Sequence, residues 1–408
     1  MGIFKSADIL LPKDSNMESW AVIAVDQFVS QPEYWEEVKR LAGSAPSALS
    51  LVLPEAYLEE DDSAAIARIN ETMAQYLNQQ IFACYPDSYI YVERTLQNGA
   101  VRQGIVGALD LENYDYRPGS TTAIRATEQT VPERIPPRVQ IRKDAPLELP
   151  HVLLLCDDEK QQLIEAAAQR KNRLPCLYNF DLMAGGGHIC GYLLSGSDAA
   201  LIDAALASYE KAAREKLGDH AVLYAIGDGN HSIAAAKACY ENLKKENPGA
   251  DLSAHPARYA LAELENIHHA AQVFEPIHRL VKNVRAEDLL AALAPFTCEN
   301  GQAVKWIAGE KQGTVTLNCS DGQLPVGVLQ HFLDAYKKDA PQDVDYIHGD
   351  KDLQELSAKD NTIGFLLPAI DKNAFFAGIV AGGTLPRKTF SMGHAREKRY
   401  YLEARKIR

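Results

Sequence analysis

Apolar and polar positions fall in blocks along the chain, and the period changes from block to block. Trp20 to Phe28, "WAVIAVDQF", is an apolar run ending in polar residues, which predicts a buried strand. "QPEYWEEVKRLA" follows, with Pro32 at a helix start and acids in its first turn. Between Asp61 and Gln79, the residues Ile66, Ile69, Met73, Tyr76 and Leu77 fall on one face of an amphipathic helix. "SYIYVERTL" and "VRQGIVGALDL", joined through Asn98-Gly99, predict a β-hairpin, because that dipeptide accepts the left-handed backbone of a tight turn.

Pro118 to Pro150 breaks the pattern. It is rich in arginine and proline, with Arg125, Arg134, Arg138 and Arg142 beside Glu128 and Glu133. A linker and a binding segment both fit that composition. "HVLLLCDD" then predicts a buried strand, and Glu159 to Lys171 a helix. The glycines of "GGGHICGYLLSG" predict a flexible loop before a short strand, and Ser197 or Asp198 caps a helix to about Leu217.

"AVLYAIGDGNHSIAAAKACYENL" reads as strand, tight turn and helix. "RYALAELENIHHAAQVFEPIHRLV" predicts two strands with a turn near Asn266. From Ala286 onward, helical and strand patterns alternate, and the basic tail ends in a strand-like alternation. The fold class expected is α/β to α+β, with mixed sheets and interspersed helices. Three regions are expected: residues 1–150, an N-terminal α/β domain with the Arg/Pro-rich segment; residues 151–285, carrying the "GDGNHS" turn; and residues 286–408, a C-terminal α/β domain.

Composition narrows the class. The net charge is -13 over 408 residues, which argues against a general nucleic-acid or anionic-membrane surface. No apolar run approaches the roughly 20 residues that span a bilayer, and the opening "MGIFKSADILLPKDS" is interrupted too soon for a signal peptide. The seven scattered cysteines form no CxxC pair, so reduced buried thiols are expected and the protein is placed in the cytoplasm.

The turn Gly227-Asp228-Gly229-Asn230-His231-Ser232 carries the main candidate chemistry. The first N–H groups of a helix lack intrahelical partners and its dipole favours an anion there. Gly227 and Gly229 allow backbone shapes that a β-carbon hinders, Ser232 can cap, Asp228 can hold a metal, and His231 can donate to a phosphate or act as acid and base. The same residues also make an ordinary strand stop and helix start. The spacing is neither a Walker loop nor a GxGxxG dinucleotide turn. His188, His268, His269 and His278 fit no zinc signature. "LPRKTFSMG" offers Arg387, Lys388, Thr389 and Ser391 as an anion grip or as a solvated basic loop.

Taken together, "WAVIAVDQF" with "PEYWEEV", "RATEQT" with "PPR", "GDGNHSIAAAK", "EPIHR" and "LPRKTFSMG" resemble the DUF1015 family over nearly the whole chain. That family's commoner central motif is Asp-Gly-His-His-Arg; here Asn230 and Ser232 stand in place of its first His and its Arg. Glu128 and Thr130 match a Glu-x-Thr motif, with Arg125 one residue further upstream than usual, and His278 and Arg279 match a Pro-Thr-His-Arg motif.

The Asp-Gly-x-His turn is also distantly similar to the phosphate-binding turn of ParB-like proteins, including free-serine kinases that use a nucleotide. The resemblance implies a ParB-like element around Gly227 and a small-molecule kinase or phosphotransferase. Its phosphate site would comprise Gly227, Gly229, Asn230, Ser232, Arg125, His278, Arg279 and Lys388. Glu128 or Asp26 would be the base, with Asp228 and His231 in the reaction and Mg2+ with ATP or ADP as cofactor. The metal and the oligomeric state are not fixed by it. A non-catalytic sensor of a small anionic metabolite and a metal-dependent phosphoester hydrolase are the alternatives. All three share the expectation that Asp228, His231, Glu128 and Arg279 meet in one cleft.

Overall fold

The computed structural model describes residues 2–59, 61–117, 119–218, 220–319, 323–339 and 343–408. Pro118, which opens the Arg/Pro-rich segment, lies outside the described residues. The chain forms two units: residues 1–126, 130–272 and 393–408 make the first, and residues 127–129 and 273–392 the second. Both mix sheets with helices, as the block pattern predicts.

Among the described residues, the first unit is built on an 11-stranded mixed sheet: nine strands on one path, with Phe4–Lys5 paired to Val101–Asp110 and Ala7–Pro12 to Phe82–Thr95 beside it. Its path runs Cys176–Asp181, His188–Leu194, Phe82–Thr95, Val101–Asp110, Tyr259–Asn266, Leu153–Cys156, Tyr224–Asp228, Ile124–Ala126 and Tyr114–Asp115. Phe82–Thr95 and Val101–Asp110 form the predicted hairpin, with Gly99 at φ 83 and the Asn98 side chain accepting the Ala100 N–H at 2.9 Å. Tyr224–Asp228 runs antiparallel to Leu153–Cys156 and parallel to Ile124–Ala126.

The helix Asn230–Glu246 that follows is buried through Ile233, Ala234, Ala235, Ala236 and Tyr240. Small residues on that face let the helix Ile135–Arg142 pack closely, with Ile135 against Ala234 and Ala235. That second helix forms despite Pro136 and Pro137, because its first turn needs no proline N–H.

The second unit holds a six-stranded sheet, ordered Lys311–Leu317, Thr297–Ala308, Thr362–Leu366, Phe274–Lys282 and Asp343–His348, with Phe390–Met392 also on Phe274–Lys282. Phe274, Phe375 and Phe390 pack with ring centroids 5.0 to 5.4 Å apart.

Several local expectations change. Of "WAVIAVDQF", Trp20 to Ala24 are buried and the rest is half-buried; only Val22–Ile23 is strand, paired with Tyr400–Tyr401, and a helical turn Met17–Trp20 leads into it. The C-terminal tail covers this run, and Trp20 Nε1 donates to the Leu402 carbonyl at 2.9 Å. The helix expected over Glu159 to Lys171 is confined to Ile164–Ala168, and beyond Gly393 the tail carries the short strands Tyr400–Tyr401 and Arg405–Lys406. Gly196, not Ser197 or Asp198, is the N-cap of Ser197–Leu217. The seven cysteines are all free, yet Cys156 alone among them is fully buried, and Cys84 and Cys176 are exposed.

Candidate functional site

Strand Tyr224–Asp228 ends in the Asp228 carboxylate, and Gly229 then turns left-handed, at φ 81, into the helix. A β-carbon on Gly229 would stand 3.0 Å from Val152 Cγ2 and 3.1 Å from Val152 Cα, so glycine is favoured by φ and by the tight space beside Val152. The Gly229 N–H donates to Asp228 Oδ1 at 2.8 Å. Lys398 Nζ lies 3.1 Å from Asp228 Oδ2. Burial pushes the Asp228 carboxyl upward, but Lys398, His151 and the Gly229 N–H outweigh it and hold the group below its ordinary range.

Ser232 does not cap the helix. Its N–H bonds to the Gly229 carbonyl at 3.0 Å, and its Oγ lies 3.0 Å from His151 Nε2. His151 Nδ1 in turn meets the Tyr401 hydroxyl at 3.0 Å, with the rings edge to face. Burial lowers the His151 pKa; Asp26 and Asp228 oppose that, and Arg138 and Arg399 reinforce it. Asp26 is thus within electrostatic reach of the His151–Tyr401 pair. His231 Nε2 accepts the Val131 N–H at 3.2 Å, which leaves the proton of the neutral ring on Nδ1. The Asn230 side-chain oxygen is buried and meets no donor among the described residues.

The tail that brings Lys398 to this turn is clamped from below. Arg94 is 4% exposed and donates to the carbonyls of Arg396 at 2.7 Å, Glu397 at 3.1 Å, Lys398 at 2.5 Å and Gly186 at 2.9 Å. Burial, reinforced by Arg102, lowers its pKa to about 9. Arg102 adds a bond to the Glu397 carbonyl at 2.6 Å, and the Tyr400 hydroxyl reaches Met183 O at 2.9 Å. The glycine run before His188 is therefore a packed support rather than a free loop: a β-carbon on Gly186 would collide with Tyr400. Arg125 is turned to the Thr122 and His220 carbonyls, at 3.1 and 2.7 Å.

Glu128, His278, Arg279 and Lys388 belong to the second unit. Thr127 and Gln129 exchange backbone bonds with Leu385, which places Glu128 alongside the "LPRKTFSMG" loop. Arg279 is fully buried and donates to Gln330 Oε1 at 2.7 Å, Ile277 O at 2.7 Å, Lys388 O at 2.9 Å and Arg387 O at 3.3 Å. Burial lowers its pKa to about 10, against the pull of Tyr346, Glu128 and Asp334. His278 is also buried: Nδ1 accepts the Leu367 N–H at 3.1 Å, and Nε2 reaches Asp350 at 2.9 Å. Lys388 is exposed, at φ 56.

The chain matches a family described as "Protein of unknown function (DUF1015)" over residues 7–406. It belongs to the DUF1015 family. No curated protein matches it. Among solved structures it is similar to a free serine kinase mutant in complex with ADP, at 12% identity and TM-score 0.39 over 74% of this chain and 91% of that one. It is likewise similar to SbnI with C-terminal truncation from Staphylococcus aureus, at 12% identity and TM-score 0.36 over 71% and 83%. A third is a conserved hypothetical protein from Pyrococcus furiosus, at 13% identity and TM-score 0.33 over 72% and 90%.

For this DUF1015 chain, the sequence pointed to the turn but not to its neighbours. His151, Lys398, Tyr401 and Arg94 were absent from the predicted set. His151 opens an apolar strand more than 70 residues upstream, and Lys398 lies in a basic tail that reads as surface. The only available signal was the basic composition of "HAREKRYY". Among the described residues, no three His, Cys, Asp or Glu side chains are grouped as metal ligands, and no helix is long and apolar enough to cross a membrane.

Proposed function

We propose that this DUF1015 protein binds a phosphate-bearing small molecule, a nucleotide such as ATP or ADP, at the start of helix Asn230–Glu246, and that it transfers a phosphoryl group to a small hydroxyl substrate. The observation that carries the reading is the pairing of Lys398 with Asp228 beside the buried, unsatisfied Asn230 oxygen. A helix N-terminus carries roughly half a positive charge, and once a cation takes the Asp228 carboxylate the Lys398 charge is released to an anion as well.

The same oxygens fit a hard cation: Asp228 and Asn230 would hold Mg2+, which when bound would neutralise phosphate charge. Gly229 supplies the close backbone approach, and Arg94 positions Lys398 through its carbonyl. Asp228 stays ionised because Lys398 faces it.

A second reading, a non-catalytic metabolite sensor, is favoured by Ser232. It stands where the family's commoner motif has an arginine, so that position carries no cationic phosphate clamp.

Titration calorimetry with ATP, ADP, AMP and inorganic phosphate, with and without Mg2+, tests the binding claim. At least one should bind, and Lys398→Met should weaken it by tenfold or more. Absence of heat from all four would refute it. Transfer is then read with ATP, Mg2+ and a pool of amino acids and sugars. A protein that binds nucleotide but forms no ADP beyond background is a sensor.

A further inference from the structure

The first unit contains a cavity of about 160 Å³ under the first turns of helix Asn230–Glu246. Leu51, Val52, Met73, Leu147, Ala235 and Ala236 give it mainly apolar walls. For scale, a dry cavity of roughly 150 Å³ accepts benzene. Two charged pairs stand in the wall: Arg138 with Glu55, and Arg142 with Glu148 at 2.5 Å. Each charge already faces its opposite, so a charged ligand would lose its hydration and find no counterion.

One wall is polar in a directed way. The Tyr401 oxygen accepts the Val25 N–H at 3.3 Å. With the His151 proton on Nε2, the Tyr401 proton goes to His151 Nδ1 and the His151 proton goes to Ser232 Oγ. In that tautomer each partner has its hydrogen bond, and the Ser232 hydroxyl proton is left over at the cavity wall.

We propose that this cavity is a binding site for a small neutral molecule with a ring-sized apolar body and one hydrogen-bond acceptor, which takes the Ser232 hydroxyl proton. The inference stands on the cavity alone and not on the phosphate reading, since its probes carry no phosphate.

The test uses the full chain with methyl-labelled methionine. Met73 lines the cavity and Met392 belongs to the second unit, so one resonance reports the site and the other serves as a control. Acetophenone, toluene and benzoate are the probes: ring plus acceptor, ring alone, and ring plus charge. Acetophenone should shift Met73 and leave Met392 in place. Toluene should bind about tenfold more weakly, and benzoate should not bind. Ser232→Ala should cost acetophenone about tenfold and leave toluene unchanged, and Val52→Trp should abolish both.

A Met73 resonance indifferent to acetophenone and toluene would overturn the proposal, and this readout needs no variant. Benzoate binding as tightly as acetophenone, or acetophenone affinity untouched by Ser232→Ala, would overturn the stated ligand chemistry.

Discussion

Glu265 is the buried acid whose removal gives the sharpest test of the electrostatics of the first unit. It is 1% exposed on strand Tyr259–Asn266 and accepts a hydrogen bond from Gln272 Nε2. Burial raises its pKa from 4.5 to about 7; Glu263 adds to the rise, while Arg102, Gln272 and Arg399 oppose it. The folded protein therefore keeps a proton that the unfolded chain has released, over the window from pH 4.5 to about 7. In that window the folded state binds more protons, so stability falls as pH rises, and the loss is complete above pH 7.

At 1.36 kcal/mol per pKa unit, this gap is worth roughly 3 kcal/mol. Glu265→Gln replaces the protonated carboxyl with a neutral group of the same shape. The variant should lose most of this slope and gain up to about 3 kcal/mol at pH 8, with little change at pH 4.5. Urea unfolding at pH 4.5, 6 and 8, followed by tryptophan fluorescence, measures it. A Trp306→Phe background leaves Trp20 and Trp35, both in the first unit, as reporters. Equal slopes for the two proteins, or a Gln variant less stable at pH 8, would refute the reasoning.

Gly229→Ala should cost about 2–3 kcal/mol, from the left-handed backbone and the Val152 contact together. Gly99→Ala is its control: φ is also positive there, but the space is open, so only about 1–2 kcal/mol should be lost. Equal losses in the two urea titrations would remove Val152 as a cause. Arg279→Leu strips donors from Gln330 and from the carbonyls of Ile277, Arg387 and Lys388, and should destabilise the second unit by about 3 kcal/mol or more. Trp306 fluorescence reads this directly, and an unchanged urea midpoint would mean that the buried guanidinium contributes nothing there.

The sequence determined what short-range physics can determine. Asn98-Gly99 specified its hairpin, because the left-handed turn is a local property. Alternating blocks of apolar residues specified a mixed α/β chain, and Gly229 with its polar neighbours specified a strand-to-helix corner. Tertiary structure decided which side chains stand around that corner. Lys398 reaches Asp228 across 170 residues only because Arg94 and Arg102 hold the carbonyls of the tail, and His151 reaches Ser232 only because its strand lies beside Tyr224–Asp228. "WAVIAVDQF" illustrates the same limit: an apolar run records burial, but the tail that covers it decides how little of it becomes strand. Pairing partners distant in sequence leave no periodic trace, so the composition of the site was settled by sheet order and buried arginines.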